Sequence, residues 1–280
     1  MNGLTAILLL LFSIHFITNA QSTSEDALVD ERFFYAENKQ LNQFFRRFNG
    51  EEDILGNRYY KKDKLYRNAD LRKGYIKELF DEQNQLLKAE EKQAFINQVV
   101  NESDPQYLEF HGGKWMAEVQ ANFSYLDSVR DFKLFFKLQK EEVGSKWVLY
   151  KVNTAAFAHL MGTAETEAEM KEKFLHPLSH ELDFTNLVKY FKAGENLAPF
   201  VDEAFSQDAM SLFLYALKRG DIKLENIRKV NFHFWQIPGW YFEVERFNRK
   251  ESYNNGLLIS KLSRVPEQHK ENWIKAIIND

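Results

Sequence analysis

The stretch FHGGKWMAEVQANF at 110–123 contains the change of hydrophobic period that decides the fold class. From Trp115 onwards, apolar side chains occupy every second position, and polar side chains fall between them from Glu118 onwards. This alternation predicts a long strand with one buried face. The pattern Trp-x-x-Glu-Val returns at Trp240–Val244. Because a strand needs that pattern for packing alone, we interpret the repeat as structural and not as a shared active site.

Similar alternation recurs in both halves of the chain, and segments of helical spacing precede it. The predicted strands after the first are 130–138, 146–152, 227–235, 240–247 and 257–262. The clearest predicted helices are about 30–49, 86–100, 183–192 and 208–219. Asp208 and Gly220 are suited to cap the last of these. The sequence therefore predicts an α+β protein.

Each half has the same order of elements, in which helices are followed by antiparallel strands. This order predicts two tandem units, each with its own curved antiparallel sheet, and the basic tract at 58–70 is the predicted insertion in the first unit. The alternative is a chance likeness between two aromatic-rich halves. The predicted division is a signal peptide at 1–20, a disordered leader at 21–29, the units at 30–153 and 175–265, a connector at 154–174 and a final helix at 266–280.

The first residues predict export from the cytoplasm. An uncharged apolar run from Leu4 to Ile17 precedes Thr18-Asn19-Ala20, which has the small residues of a signal-peptidase site. The alternatives are a buried N-terminal helix and a membrane anchor. The chain has no cysteine, which excludes disulfides and thiolate chemistry and favours a bacterial periplasmic or extracellular protein. No later run is long enough to predict a membrane span.

Charge and motifs exclude several classes of function. The net charge is −4, and it is spread evenly, without the basic stripe of a nucleic-acid-binding protein. The chain has no glycine-rich dinucleotide motif, no phosphate-binding Gly-Lys-Ser/Thr loop and no Gly-x-Ser-x-Gly elbow. We therefore predict no cofactor and no nucleic-acid partner, and the expected partner is an unknown small ligand or a protein.

His233 and Glu243 are the candidate catalytic residues. A histidine near a carboxylate on a sheet face can act as a general base. A tight Pro238-Gly239 turn would put His233 on the same face as Trp240, whereas a longer loop would put it on the other face. The alternative is a histidine that serves only as a hydrogen-bonded part of the sheet.

Trp235, Trp240 and Tyr241 are the candidate ligand-binding residues. Aromatic side chains at the end of a hairpin can stack on a sugar or a peptide. The alternative is that the three rings cap the end of the core or a seam between the halves.

His176, His180 and Asp183 form the densest group of metal-type ligands. Because Pro177 disfavours helical backbone at His176, the segment is more typical of a helix entry than of a metal site. We predict that no metal is bound there.

The segments LNQFFRRFNGEED at 41–53 and KWVLYKV at 146–152, with the Ala20-Gln21-Ser22 signal end, resemble exported proteins of Bacteroidales-type bacteria. The order of helices before a curved antiparallel sheet resembles the cone-shaped NTF2-like fold. That resemblance implies an α+β cone but leaves function open, because such folds include enzymes, ligand-binding proteins and dimerisation modules.

Three functions follow from these observations. The first is a non-enzymatic exported protein that binds a ligand or partner at the cell envelope. The second is a hydrolase or isomerase with a small pocket and a His/carboxylate pair. The third is a structural module that forms dimers.

Overall fold

The structure is a computed structural model that describes residues 40–142, 144–160, 200–202, 208–250 and 252–279. Helices and a six-stranded antiparallel sheet confirm the predicted α+β class. The predicted signal peptide and leader at 1–29 lie outside the described residues. So do most of the connector and the predicted helix at 183–192.

The helices and strands are numbered here in chain order. The helices are α1 (40–49), α2 (Ala69–Glu78), α3 (Ala89–Val99), α4 (Ala209–Arg219) and α5 (Lys270–Asn279). The strands are β1 (Trp115–Tyr125), β2 (Ser128–Glu141), β3 (Gly144–Asn153), β4 (Ile222–Phe234), β5 (Trp240–Phe247) and β6 (Gly256–Arg264). The predicted strands are all present, and most are longer than expected.

Local capping explains where α4 begins and ends. The Asp208 side chain accepts a hydrogen bond from the Ser211 amide at 2.9 Å, and Gly220 ends the helix in the left-handed conformation with φ of 80°. A side-chain oxygen at the start and a left-handed glycine at the end satisfy backbone groups that a helix leaves unpaired. Both predicted caps are confirmed.

The strands of the two halves pair into one sheet. Its order is β3-β2-β1-β4-β5-β6, so each half contributes a three-stranded meander and the two meanders join where β1 pairs with β4. The expectation of a separate sheet for each unit is therefore not met. The repeated Trp-x-x-Glu-Val segments lie on β1, the first strand of its meander, and on β5, the middle strand of the other. Internal duplication stays a prediction.

One side of the sheet, here called the phenylalanine face, carries Trp115, Phe234, Trp240 and Phe242. Helices cover it with further aromatic rings, and Phe234 and Phe242 stack with ring centroids 4.8 Å apart. The rings packed around this pair come from α1 and α3 and are Phe44, Phe45, Phe48 and Phe95. Each fully buried ring of this kind stabilises the fold by about 2–3 kcal/mol.

The opposite side, here called the histidine face, carries Met116, Glu118, His233, Tyr241 and Glu243. Its apolar end is covered by α5. The cluster there contains Met116, Phe135, Trp235, Tyr241, Val265 and Ile278, with Trp273, Ile274 and Ile277 packed against it. Among the described residues, phenylalanine-rich helices cover one face of the sheet, and the C-terminal helix α5 covers the apolar end of the other face.

Candidate functional site

The loop between β4 and β5 decides on which face His233 lies. β4 ends at Phe234 and β5 begins at Trp240, so the loop is longer than a two-residue Pro238-Gly239 turn. The register pairs His233 with Glu243 and Phe234 with Phe242. Since neighbouring strand residues point to opposite faces, His233 shares the histidine face with Glu243, away from Trp240.

Both ring nitrogens of His233 are engaged by other side chains. Nδ1 lies 2.9 Å from the Tyr241 hydroxyl, and Nε2 lies 3.1 Å from Oε2 of Glu118. The histidine is only 2% exposed. β1 supplies the carboxylate on one side of β4, and β5 supplies the hydroxyl on the other. His233 is therefore the centre of a contact that ties three strands together.

The hydrogen bonds continue on either side of the histidine. Gln120 Nε2 donates to Oε1 of Glu118 at 2.7 Å, and the Tyr241 hydroxyl donates to Oε2 of Glu243 at 3.2 Å. The resulting chain, which we call the histidine relay, runs Gln120–Glu118–His233–Tyr241–Glu243. It crosses from β1 through β4 to β5 on one face of the sheet.

The hydrogen-bond capacities of these groups explain how the relay is held. A carboxylate can only accept, so the Gln120 amide and the Tyr241 hydroxyl are the donors at the two ends of the relay. The imidazole can donate or accept at either ring nitrogen, as its tautomer requires. His233 is thus held between the Glu118 carboxylate and the Tyr241 hydroxyl, and the Glu243 carboxylate lies beyond that hydroxyl.

The pKa values of two neighbours of His233 are shifted by their surroundings. Burial alone raises the pKa of Glu118, but hydrogen bonds from His233 and Gln120 outweigh it and hold the pKa below its usual value. Burial, followed by the negative charge of Glu243, raises the pKa of Tyr241. Glu118 is therefore charged and Tyr241 is neutral throughout the physiological range.

Helix α5 and the turn before it seal the end of the relay. The Trp273 ring lies 5.8 Å from the Tyr241 ring. Lys270 Nζ donates to the carbonyls of Trp235 and Ile237, each at 2.9 Å. These contacts hold α5 over the face. A general base must reach a substrate proton within hydrogen-bond distance, and both nitrogens of His233 are already committed beneath this cover.

The three aromatic candidates for ligand binding do not form one exposed patch. Trp240 is on the phenylalanine face, where its indole donates to Gln98 at 2.8 Å. Trp235 and Tyr241 are on the histidine face with ring centroids 5.5 Å apart. All three are at most 3% exposed. Their burial favours the alternative that they belong to the core, and ligand contact by them stays a prediction.

The metal candidates His176, His180 and Asp183 lie outside the described residues. In the ranges that the structure describes, no group of three or more histidine, aspartate or glutamate side chains has metal-binding geometry. Likewise, none of the described helices is long and apolar enough to cross a membrane.

A buried cation, Arg72 of α2, was not predicted from the sequence. Its guanidinium donates to the carbonyl of Phe48 at 2.8 Å, to that of Val99 at 3.0 Å and to that of Gln106. It is 1% exposed, and burial lowers its pKa to about 10. Arg72 therefore joins the ends of α1 and α3 and the following loop, and it stays charged.

A surface cavity of about 220 Å³ lies beside this arginine. The Tyr107 ring stands between the guanidinium groups of Arg67 and Arg72, at 4.1 and 4.3 Å from the ring centre. Arg67 also pairs with Glu51 at 2.5 Å. The described donors of both arginines are thus directed at protein groups, which indicates a structural cluster.

Comparison with protein-family models, with curated proteins and with solved structures found no match. We therefore infer function from the geometry of this chain. Sequence reasoning identified His233 and Glu243 as neighbours but missed Glu118 as the partner of His233. The β1–β4 pairing, which no local pattern encodes, brings these two residues together.

Proposed function

We propose that this chain is a non-enzymatic exported protein that binds a ligand or partner at the cell envelope through its surface. The observation that carries the proposal is the state of His233. The side chain best suited to catalysis is buried, and both of its nitrogens are hydrogen bonded within the protein. Such a histidine stabilises the sheet and has no free nitrogen for a substrate.

Export is the part of the proposal supported by sequence alone. The uncharged apolar run at 4–17, the small residues that follow it and the absence of cysteine all agree with a bacterial envelope protein. Expression of the full chain in a bacterium with an outer membrane is expected to place it in the periplasmic or envelope fraction. Retention of the whole population in the cytoplasm, with the N-terminal run uncleaved, would contradict export.

The experiment that separates binding from catalysis uses Glu243→Gln. Glu243 is half-buried and pairs with His233 across the strands, so the variant is expected to fold. Wild-type protein is offered chromogenic esters, phosphoesters, glycosides and peptides. We expect no turnover above background with either protein. Turnover by the wild type that Glu243→Gln abolishes at an unchanged melting temperature would overturn the proposal in favour of the hydrolase alternative.

A further inference from the structure

The segment at 50–68, which contains most of the predicted insertion at 58–70, forms two turns on a shared base. We call it the cationic lobe. Glu51 holds the base: its carboxylate accepts from Arg67 and Tyr66, and its carbonyl accepts from the Tyr59 amide at 2.9 Å. The Arg67 amide donates to the Gly50 carbonyl at 2.9 Å. Both turns therefore project from one fixed point at the end of α1.

The first turn presents two adjacent aliphatic residues at its tip. Asp53 organises the turn, since its Oδ1 accepts from the amides of Leu55 and Asn57 at 2.9 and 2.8 Å. Its Oδ2 accepts from the Asn57 side chain at 2.9 Å. Ile54 and Leu55 are 58% and 82% exposed. The backbone is thus ordered while the two apolar side chains remain in water.

The second turn presents lysines. Asp63 accepts from the Tyr60 amide at 2.6 Å, and its own amide donates to the Tyr60 carbonyl at 2.8 Å. Lys61 and Lys62 occupy the centre of this turn, and Lys64 follows it. All three are exposed. Within the described part of the chain, none of the three ammonium groups pairs with a carboxylate.

The acidic groups of the lobe are committed to its own backbone and base. Glu51 pairs with Arg67, and Glu52 is 1% exposed and pairs with Arg46 at 2.6 Å. Asp53 and Asp63 accept from turn amides. Hydrogen bonding to the Asn57 side chain is the largest influence on Asp53 and holds its pKa below the usual value. Asp63 itself is exposed between Lys62 and Lys64, so the second turn presents three lysines and one carboxylate, and the first turn presents its aliphatic tip.

We infer that the cationic lobe binds the surface of an anionic phospholipid membrane, with Ile54 and Leu55 entering the headgroup region and the lysines beside it. This inference rests on the proposed binding function at the envelope and names the partner. Exposed aliphatic side chains gain free energy on leaving water. Lysine ammonium groups on flexible stems are attracted to a diffuse layer of negative charge without needing a fixed geometry.

The shape of the lobe favours a lipid surface over an acidic protein. A specific protein interface buries roughly 800 Å² on each partner and fits a shaped surface. Here the exposed apolar side chains are few: Ile54 and Leu55 lie at the tip of one turn, and Tyr60 and Leu65 lie beside the lysines on the other. Both turns start from the same base. The interfacial layer of a membrane adapts to the shape of the aliphatic tip and carries charge across its whole surface. Both the aliphatic turn and the lysine turn can therefore contact it at the same time.

The test is sedimentation of the purified full chain with vesicles at several salt concentrations. Wild-type protein is expected to bind phosphatidylcholine vesicles that contain phosphatidylglycerol, and to bind phosphatidylcholine alone far more weakly. Binding should weaken as salt rises. Replacing Lys61, Lys62 and Lys64 together by glutamate is expected to weaken binding on the order of 100-fold, since each lysine near an anionic surface contributes about a factor of five. Ile54→Ser with Leu55→Ser should weaken it roughly tenfold.

A matched control comes from another exposed turn. Leu86 is 87% exposed and Lys88 is exposed beside it, so Leu86→Ser with Lys88→Glu removes the same chemistry elsewhere. This pair is expected to leave vesicle binding unchanged. The inference would be overturned if the control pair lost as much vesicle binding as the variants of the cationic lobe. It would also be overturned if binding by the wild-type protein did not depend on phosphatidylglycerol.

Failure of this inference can be told apart from failure of the proposed function. Wild-type protein could bind neither kind of vesicle and yet bind envelope preparations only when the three lysines are present. In that case the partner is an acidic macromolecule, and the lipid inference is wrong. The binding function then stands. Turnover that depends on Glu243 would instead overturn the proposed function, whatever the vesicles show.

Discussion

His233 and Arg72 are buried basic side chains that the molecule holds in different ways. His233 lies on the histidine face between side chains, with the Glu118 carboxylate as its charged partner. Arg72 lies behind the phenylalanine face and donates to three backbone carbonyls. A side chain held by a carboxylate depends on the protonation of that carboxylate, whereas a side chain held by backbone carbonyls has partners that do not titrate. The two sites should therefore respond differently to mutation and to pH.

The largest effect is expected from Arg72→Met. The variant keeps most of the apolar length of the side chain but leaves three carbonyls without their donor. Buried polar groups that lose their partner destabilise strongly, so we expect a loss of about 3–5 kcal/mol in the free energy of unfolding. Urea unfolding followed by tryptophan fluorescence measures it.

Arg67→Met is the matched control for that variant. Arg67 also lies over the Tyr107 ring, but it is partly exposed and pairs with Glu51. A partly exposed ion pair contributes about 1 kcal/mol or less. If the two variants lose equal stability, the carbonyl contacts of Arg72 do not explain its burial.

Glu118→Gln is expected to have the next largest effect. The amide keeps the shape but removes the negative charge opposite His233, which leaves the buried imidazole with a neutral partner in place of a carboxylate. We expect a loss of about 2–3 kcal/mol in the free energy of unfolding at neutral pH. Glu245→Gln is the control, because Glu245 lies on the same face but pairs with the more exposed Lys229 at 2.7 Å. A loss in the control as large as in Glu118→Gln would contradict a special role for the relay.

The response of stability to acid should distinguish the His233 and Arg72 sites most clearly. The pKa of Glu118 lies below its usual value of 4.5 in the folded protein. Its stabilising contribution is therefore complete above the unfolded pKa and is lost as pH falls through the folded pKa. The difference in unfolding free energy between wild type and Glu118→Gln should shrink as pH falls from about 5 to about 3.

Arg72 supplies the contrast in the same measurement. Its pKa, lowered by burial to about 10, stays far above this range, so its protonation is unchanged. The difference between wild type and Arg72→Met should stay constant over the same pH interval. A parallel decline in both differences would show that acid weakens the whole fold and does not act on Glu118.

Structural features that depend on local sequence pattern could be predicted from the sequence. Alternation from Trp115 predicted β1 and its two faces, and Asp208 and Gly220 predicted the ends of α4. These signals lie within a few residues of the structure that they specify. The phenylalanines of α1 were likewise recognisable by helical spacing.

The parts that could not be predicted depend on long-range pairing. Glu118 meets His233 only because β1 pairs with β4, and the face of His233 depends on the length of the loop before Trp240. Arg72 draws its acceptors from three separate segments, which no spacing along the chain encodes. Local sequence pattern therefore predicts the face of a strand or helix on which a residue lies. Contacts between distant strands and helices determine which residues it meets there.

The smallest expected effect is that of Tyr241→Phe. Removing the hydroxyl leaves Nδ1 of His233 without its hydrogen-bond partner and Glu243 without one of its donors, while the ring still fills the cluster under α5. Because Glu243 is only half-buried, water can replace the lost donor there. We therefore expect a loss of about 1–2 kcal/mol in the free energy of unfolding, which reports the buried nitrogen alone.

Tyr75→Phe is the matched control for this last variant. Its hydroxyl lies 3.3 Å from that of Tyr59 in a partly exposed pair, and its loss is expected to cost no more than about 0.5 kcal/mol.

In a double variant with Glu118→Gln, the effect of Tyr241→Phe should change by more than about 0.5 kcal/mol, because both residues contact the same ring. Strict additivity would mean that the two contacts are independent, and the relay would then be two separate hydrogen bonds that share a histidine.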